Sequence, residues 1–279
     1  GVQTCALPIL DRIIAVNSNT YHGYSVEDAL RGISAAGFRY VELTATKGWT
    51  EHVFPTQSFA ALIGVKKLMA ELGLTPFALS GHCNLMDPER IQDFILNIEL
   101  AAFFGSDYIV SSVGEAHLED KNKEDLGGIT ENIARLLPCL RAHGLKLALE
   151  THGDHSTAKI LREIVDRVGS DLVAINYDTA NVIYYADVLP EIDMLDAIDQ
   201  IAYLHLKDKI GGVKEWNFPA LGKGVVNFPA IFSNLSAAKN FSPFSIELEF
   251  TPDGAGSLDA VNEAVRTSAA YLKSHGFVL

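Results

Sequence analysis

Lys146-Leu-Ala-Leu-Glu150-Thr-His152 is a short apolar run that ends abruptly in a carboxylate and an imidazole. Bounded by Gly144 and polar residues, a run of that length predicts a buried strand. A carboxylate at the end of such a strand costs free energy unless something pairs it. The arrangement recurs downstream. Ala174-Ile-Asn-Tyr-Asp178 ends in Asp, Ile201-Ala-Tyr-Leu-His205 in His, and Phe244-Ser-Ile-Glu247 in Glu. Four successive runs thus each deliver a metal-ligand residue type at their C-terminal end.

Working outward, residues 13–16, 38–43 (with Glu42), 74–79 and 107–110 predict strands one to four. Residues 145–149, 172–177, 201–206 and 245–250 predict strands five to eight. Helical stripes lie between them. Ser25 opens the first with a near capping box ahead of Ala29, Leu30, Ile33 and Ala36. Residues 59–72 follow. Asp87-Pro88 supplies an N-cap and N1 for a helix to about residue 104. A long helix ending at His143 carries Ile129, Ile133, Leu136 and Leu140, and further helices fall at 157–168, within 188–198, at 228–238 and at 258–274. Gly37, Gly73, Gly105, Gly144 and Gly276 stand where such helices stop. Eight strands alternating with eight helices predict a single (β/α)8 TIM barrel over residues 11–279. Residues 1–10 lack an initiator Met and a basic n-region, and are read as a non-native or disordered extension carrying Cys5.

Composition narrows the classes. The chain has 279 residues, 48% of them hydrophobic, a length normal for one α/β barrel. A net charge of −13 disfavours nucleic acid or an anionic membrane as partner. Three cysteines cannot form a disulfide framework and fit a reducing, cytoplasmic setting. No apolar run approaches the roughly 20 residues of a membrane helix.

In a barrel of this kind the strand C-termini form one mouth, where active sites lie. Glu42, His82, Glu150, His152, Asp178, His205 and Glu247 fall on that edge. Each has a plain alternative when taken alone. A strand-end Asp caps a helix, a lone His satisfies a hydrogen bond, and Glu42 pairs with Lys47. The case is collective. Glu249 shares the parity of Glu247, so spacing leaves open which of them faces the centre. Two Glu, one Asp and one His, with no thiolate, suit Mn²⁺, Mg²⁺ or Co²⁺, and Zn²⁺ is also accommodated. Such an ion polarises a carbonyl, and two carboxylates on opposite walls can shuttle a proton at the neighbouring carbon. His152 is placed as a contact to substrate or to the ligands. Trp216 lies on the long loop 207–223, where it would stack on a sugar face. Gly222-Lys-Gly224 is too short for a phosphate loop and reads as a turn. His117, His143 and His275 are read as surface residues, and His155 as a helix cap.

Leu149-Glu150-Thr-His152, Tyr177-Asp178-Thr-Ala-Asn181, His205-Leu-Lys207-Asp208, Leu221-Gly-Lys-Gly224 with Val226-Asn-Phe228, and Ser245-Ile-Glu247-Leu-Glu249 together resemble the xylose isomerase-like barrels, in their sugar phosphate isomerase/epimerase branch. The resemblance covers nearly everything after Asp11. It implies one divalent metal held by Glu150, Asp178, His205 and Glu247, with Glu150 and Glu247 as the acid/base pair. It implies substrate contacts from His82 and Asn181. Two departures stand out: ketose 3-epimerases often carry His where this chain has Asn181, and the Arg they place after the seventh strand has only Lys207 or Lys209 as counterpart. The implied activity is a metal-dependent sugar or sugar-phosphate isomerase or epimerase acting through an enediolate on a sugar or polyol ketone, in a chain whose relatives are homo-oligomers. A dehydratase of the inosose or dehydroshikimate type and a non-catalytic sugar-binding barrel are the alternatives.

Overall fold

The computed structural model describes residues 12–279, so the expected extension over 1–10, and Cys5 in it, lie outside the described residues. Eight parallel strands close into a barrel in sequence order, with β1 pairing both β2 and β8. They are β1 (Ile14–Asn17), β2 (Tyr40–Thr44), β3 (Thr75–Ser80), β4 (Tyr108–Ser111), β5 (Lys146–Glu150), β6 (Val173–Asp178), β7 (Ile201–Leu206) and β8 (Phe244–Ile246). Among the described residues the helices are α1 (Val26–Ala35), α2 (Phe59–Glu71), α3 (Ile91–Phe104), α4 (Leu126–His143), α5 (Ala158–Val168), α6 (Asn181–Ala186), α7 (Pro190–Asp193), α8 (Phe228–Ala237) and α9 (Leu258–Ser274). None is long and apolar enough to cross a membrane.

Local chemistry sets the helix starts. Ser25 and Asp28 form a reciprocal capping box on α1, and Ser58, Asp125, Thr157 and Ser257 cap α2, α4, α5 and α9 through their side chains. Thr157, not His155, is therefore the cap of α5. Two expectations shift. Asp87 caps a tight turn, accepting from the Glu89 amide at 2.9 Å, and α3 begins only at Ile91. The Asp87 Oδ2 is meanwhile taken by Asn122 at 2.8 Å, so the Asp-Pro signal marks a turn three residues before the helix. Strand eight is shorter than its apolar run. After Ile246 the Leu248 amide turns to Thr20 Oγ1, and Phe250, at φ +57°, pairs with Phe218 instead of the barrel.

Two apolar layers follow from strand parity. Leu147, Leu149, Leu204 and Leu206 face outward into the large core under the helices. Ala148 and Tyr203 join Phe77, Ala78 and Val110 in a second cluster. They stand two residues below Glu150 and His205 on the same strand faces, so this cluster floors the barrel. Tyr108 and Tyr203 stack there at 5.5 Å. The outer core is the larger of the two. Leu161, fully buried on α5, is expected to cost about 2–5 kcal/mol on replacement by Ala, read as a lower urea midpoint at unchanged slope.

Candidate metal centre and mouth

Parallel pairing brings the strand ends level: Glu150 lies opposite Asn176, and Asp178 opposite His205. Glu150, Asp178, His205 and Glu247 each offer one ligand atom, all within 4.8 Å of one another. His205 Nδ1 lies 3.0 Å from Glu150, 3.5 Å from Glu247 and 3.9 Å from Asp178. All four are buried. The choice that spacing left open falls to Glu247 over Glu249, which stands outside the four.

Asp178, Glu247 and His205 are each held from outside the cluster by a partner. Asp178 Oδ1 accepts the Ala180 and Asn181 amides at 2.8 Å. Its Oδ2 is buried with no hydrogen-bond partner among the described residues. Glu247 Oε1 accepts Asn17 and Asn19 side-chain amides at 3.0 and 3.1 Å, and its Oε2 accepts the Lys207 ammonium at 3.1 Å. His205 Nε2 contacts Glu42 at 3.0 Å, and the Tyr203 hydroxyl donates to the same carboxylate at 2.8 Å. Glu42 thus pairs with His205 and not with Lys47. A register shift between Val41 and Glu42 lies at this point of β2, the sort of bulge that re-aims a side chain beside a site. An unpartnered buried carboxylate oxygen, two further carboxylates and an imidazole anchored at its far nitrogen fit a hard divalent cation. Glu42→Gln is expected to weaken metal binding about 10–100-fold, checked by titration with Mn²⁺. Unaltered affinity would show that Glu42 does not orient the imidazole.

The electrostatics follow from crowding charge out of water. Burial alone would lower the His205 imidazolium, but Glu42, Glu247 and Glu150 outweigh it and raise it well above the usual range. Lys207 behaves likewise. Burial opposes its charge, while Glu247, Glu249 and Asp178 hold the ammonium on. Its Nζ lies 3.1 Å from Glu247 and 3.6 Å from Asp178, and also pairs with Glu249. At Glu247 burial is overcome by Lys207 and His205, which hold the carboxyl well below its usual range. At Glu150 burial prevails and raises it. Burial pushes Asp178 and Glu249 up to about 7.

The remaining expected residues gather around this centre. The Ser112 amide donates to His82 Nδ1 at 2.9 Å, so the proton sits on Nε2, which lies 3.2 Å from Glu150. Burial keeps that ring neutral, its pKa lowered to about 4. Asn181 Nδ2 approaches Glu150 at 3.4 Å. His152 meets the Tyr185 hydroxyl at 2.9 Å. Trp216 lines the mouth edge-on to Phe218 and Tyr184. Asp208 works elsewhere: its carboxylate accepts the Gly222, Gly224 and Val226 amides. The glycine-rich stretch is therefore a turn folded onto Asp208, with no space for a Cβ at Gly224.

Several mouth residues escaped the sequence. Trp49 stacks between His22 at 3.8 Å and His117 at 4.0 Å. His117 is thus part of the mouth and not a surface residue; the surrounding acidic loop hides that it folds inward onto an indole. Asn17 and Asn19 show only the weak signal of following strand one. Tyr184 and Tyr185 sit on α6, whose six residues are too few to reveal a helical period.

A family model for the xylose isomerase-like TIM barrel matches residues 30–275. The chain belongs to that family. No curated protein matches it. Solved structures similar to this family member include an L-ribulose 3-epimerase, with 19% identity, TM-score 0.71, and 94% of this chain and 93% of the other covered. A 3-keto-D-glucoside 4-epimerase from E. coli is similar at 20% identity and TM-score 0.70, covering 94% and 99%. A xylose isomerase-like barrel protein from Mycobacterium smegmatis in complex with magnesium is similar at 16% identity and TM-score 0.70, covering 95% and 97%.

Proposed function

We propose that this xylose isomerase-like barrel is a divalent-metal-dependent isomerase or epimerase of a sugar or polyol ketone. The observation that carries the reading is the placement of Glu150 and Glu247. Both approach His205 Nδ1, from strands β5 and β8, so two carboxylates address one small space from different walls. A divalent ion held by Glu150, Asp178, His205 and Glu247 (Mg²⁺, Mn²⁺ or Co²⁺, with Zn²⁺ also matched by the donors) supplies Lewis-acid polarisation of the substrate carbonyl. The protein's own groups do the rest. One Glu removes the proton from the carbon beside the carbonyl, and the other returns one to the opposite face or to the neighbouring carbon. Which acts first depends on the face that presents the hydrogen. His82, donating from Nε2, orients Glu150; Asn17 and Asn19 orient Glu247. Lys207 offsets the negative charge that develops on the substrate oxygen. Asn181, His152 and Trp216 line the substrate's place.

Support comes from the epimerases of ribulose and of a keto-glucoside among the similar structures, and from the magnesium complex. The test is solvent deuterium uptake at the carbon next to the carbonyl, over a panel of ketoses, inososes and their phosphates with Mn²⁺. Uptake with an isomeric product supports the reading. Loss of one water marks a dehydratase, and no exchange in any member marks a binding barrel.

A further inference from the structure

The free space in the mouth beside Glu150 and Glu247 is about 20 Å³, room for one water-sized group. Beside it lies a cavity of about 440 Å³, the size of a ligand site. Asn19, Trp49, His117, Trp216 and Glu249 line both. A molecule that reaches the ligands from the mouth therefore has a second, larger space for the part that does not react.

The lining of that vestibule says what the part is. Trp216, Tyr24 and Phe250 give aromatic surface, and His22 and Glu249 give polar groups; Trp49, stacked on both faces by His22 and His117, offers only its edge. This mixture suits a hydroxylated ring with an apolar face. Among the described residues, no Lys or Arg lines it and Glu249 does, which opposes a phosphate. Phe250 is fixed there in a left-handed conformation, φ +57°, by paired backbone hydrogen bonds with Phe218 at 2.7 and 2.9 Å. A bulky residue in that region is strained and persists only where its surroundings impose it.

We propose that this vestibule is a second subsite that holds an uncharged sugar ring joined to the reacting ketone, so that the substrate is a glycosyl ketose. The inference rests on the ketone reading above. Calorimetric titration of the metal-loaded protein with fructose, fructose 6-phosphate and palatinose, a glucosyl-fructose, tests it. Palatinose is expected to bind at least about tenfold more tightly than fructose, and the phosphate no more tightly than fructose. Ala255→Trp, which fills the cavity from its outer loop, is expected to bring the palatinose-to-fructose ratio towards one. Phe250→Gly, which removes the ring while accepting the positive φ, keeps the test open should the larger side chain prevent folding, and is expected to lower the same ratio. Equal binding of the two sugars, no binding of either, or a ratio retained in both variants overturns the subsite. The catalytic reading fails separately: Glu150→Gln would then leave deuterium exchange untouched while palatinose stayed preferred.

Discussion

Glu150→Gln and Glu247→Gln each lower solvent deuterium entry into a ketose substrate by about 10²–10⁴-fold, the range that a positioned acid or base contributes. The substitution keeps the volume and one oxygen, so the barrel and much of the ligand set survive while the proton acceptor is lost. The effects do not add. A proton removed from one face and returned to another needs both groups, so the double variant falls little below the worse single one. Glu150 loses more than a base, because His82 Nε2 donates to it at 3.2 Å. A Gln there can turn its amide nitrogen toward His82 and leave two donors facing. Metal content must be measured beside the rate. A metal-loaded Gln variant that exchanges at the wild-type rate would remove the carboxylates from the mechanism.

The convergence of Glu150, Asp178, His205 and Glu247 was legible because a parallel barrel brings its strand ends together. Each apolar run from Leu145 to Glu247 is buried on both faces, and the polar residue that ends it has one place to go, the mouth. Parity and alternation also carried the barrel itself. The supports were not legible in the same way. Glu42 meets His205 across 163 residues of sequence, and nothing local separates that contact from a pairing with Lys47 a turn away. Asn17 and Asn19 look like ordinary loop residues until β8 brings Glu247 beside β1.

The aromatic mouth shows the same limit from the other side. Trp49 and His117 sit in loops after β2 and β4 whose compositions are unremarkable for loops, and their stacking at 4.0 Å is a tertiary event. Asp87 misled for a local reason: Asp-Pro serves a tight turn as readily as a helix start, and the Asn122 contact decides between them.

Metal affinity is expected to fall about tenfold or more for each pH unit below neutrality, since at least one proton must leave for each ion bound. In the metal-free site burial raises Asp178 to about 7 and raises Glu150 as well, while His205, opposed by burial but dominated by Glu42, Glu247 and Glu150, is held protonated. The ion and the protons therefore compete for the same atoms. The sign for folding is the reverse of a salt-bridged carboxylate. With its folded pKa above the unfolded value near 3.9, Asp178 binds more protons folded than unfolded, so its contribution is present in acid and is lost as pH rises through about 7. Metal reverses that trend by taking over the deprotonated form. At a hundredfold excess over the dissociation constant it adds about 2.7 kcal/mol, several degrees in melting temperature for a chain of this size. Melting with and without EDTA, across about pH 6 to 8, measures both effects. A metal-dependent rise that is as large at the acid end as at the alkaline end would show that these carboxylates and His205 do not bind the ion.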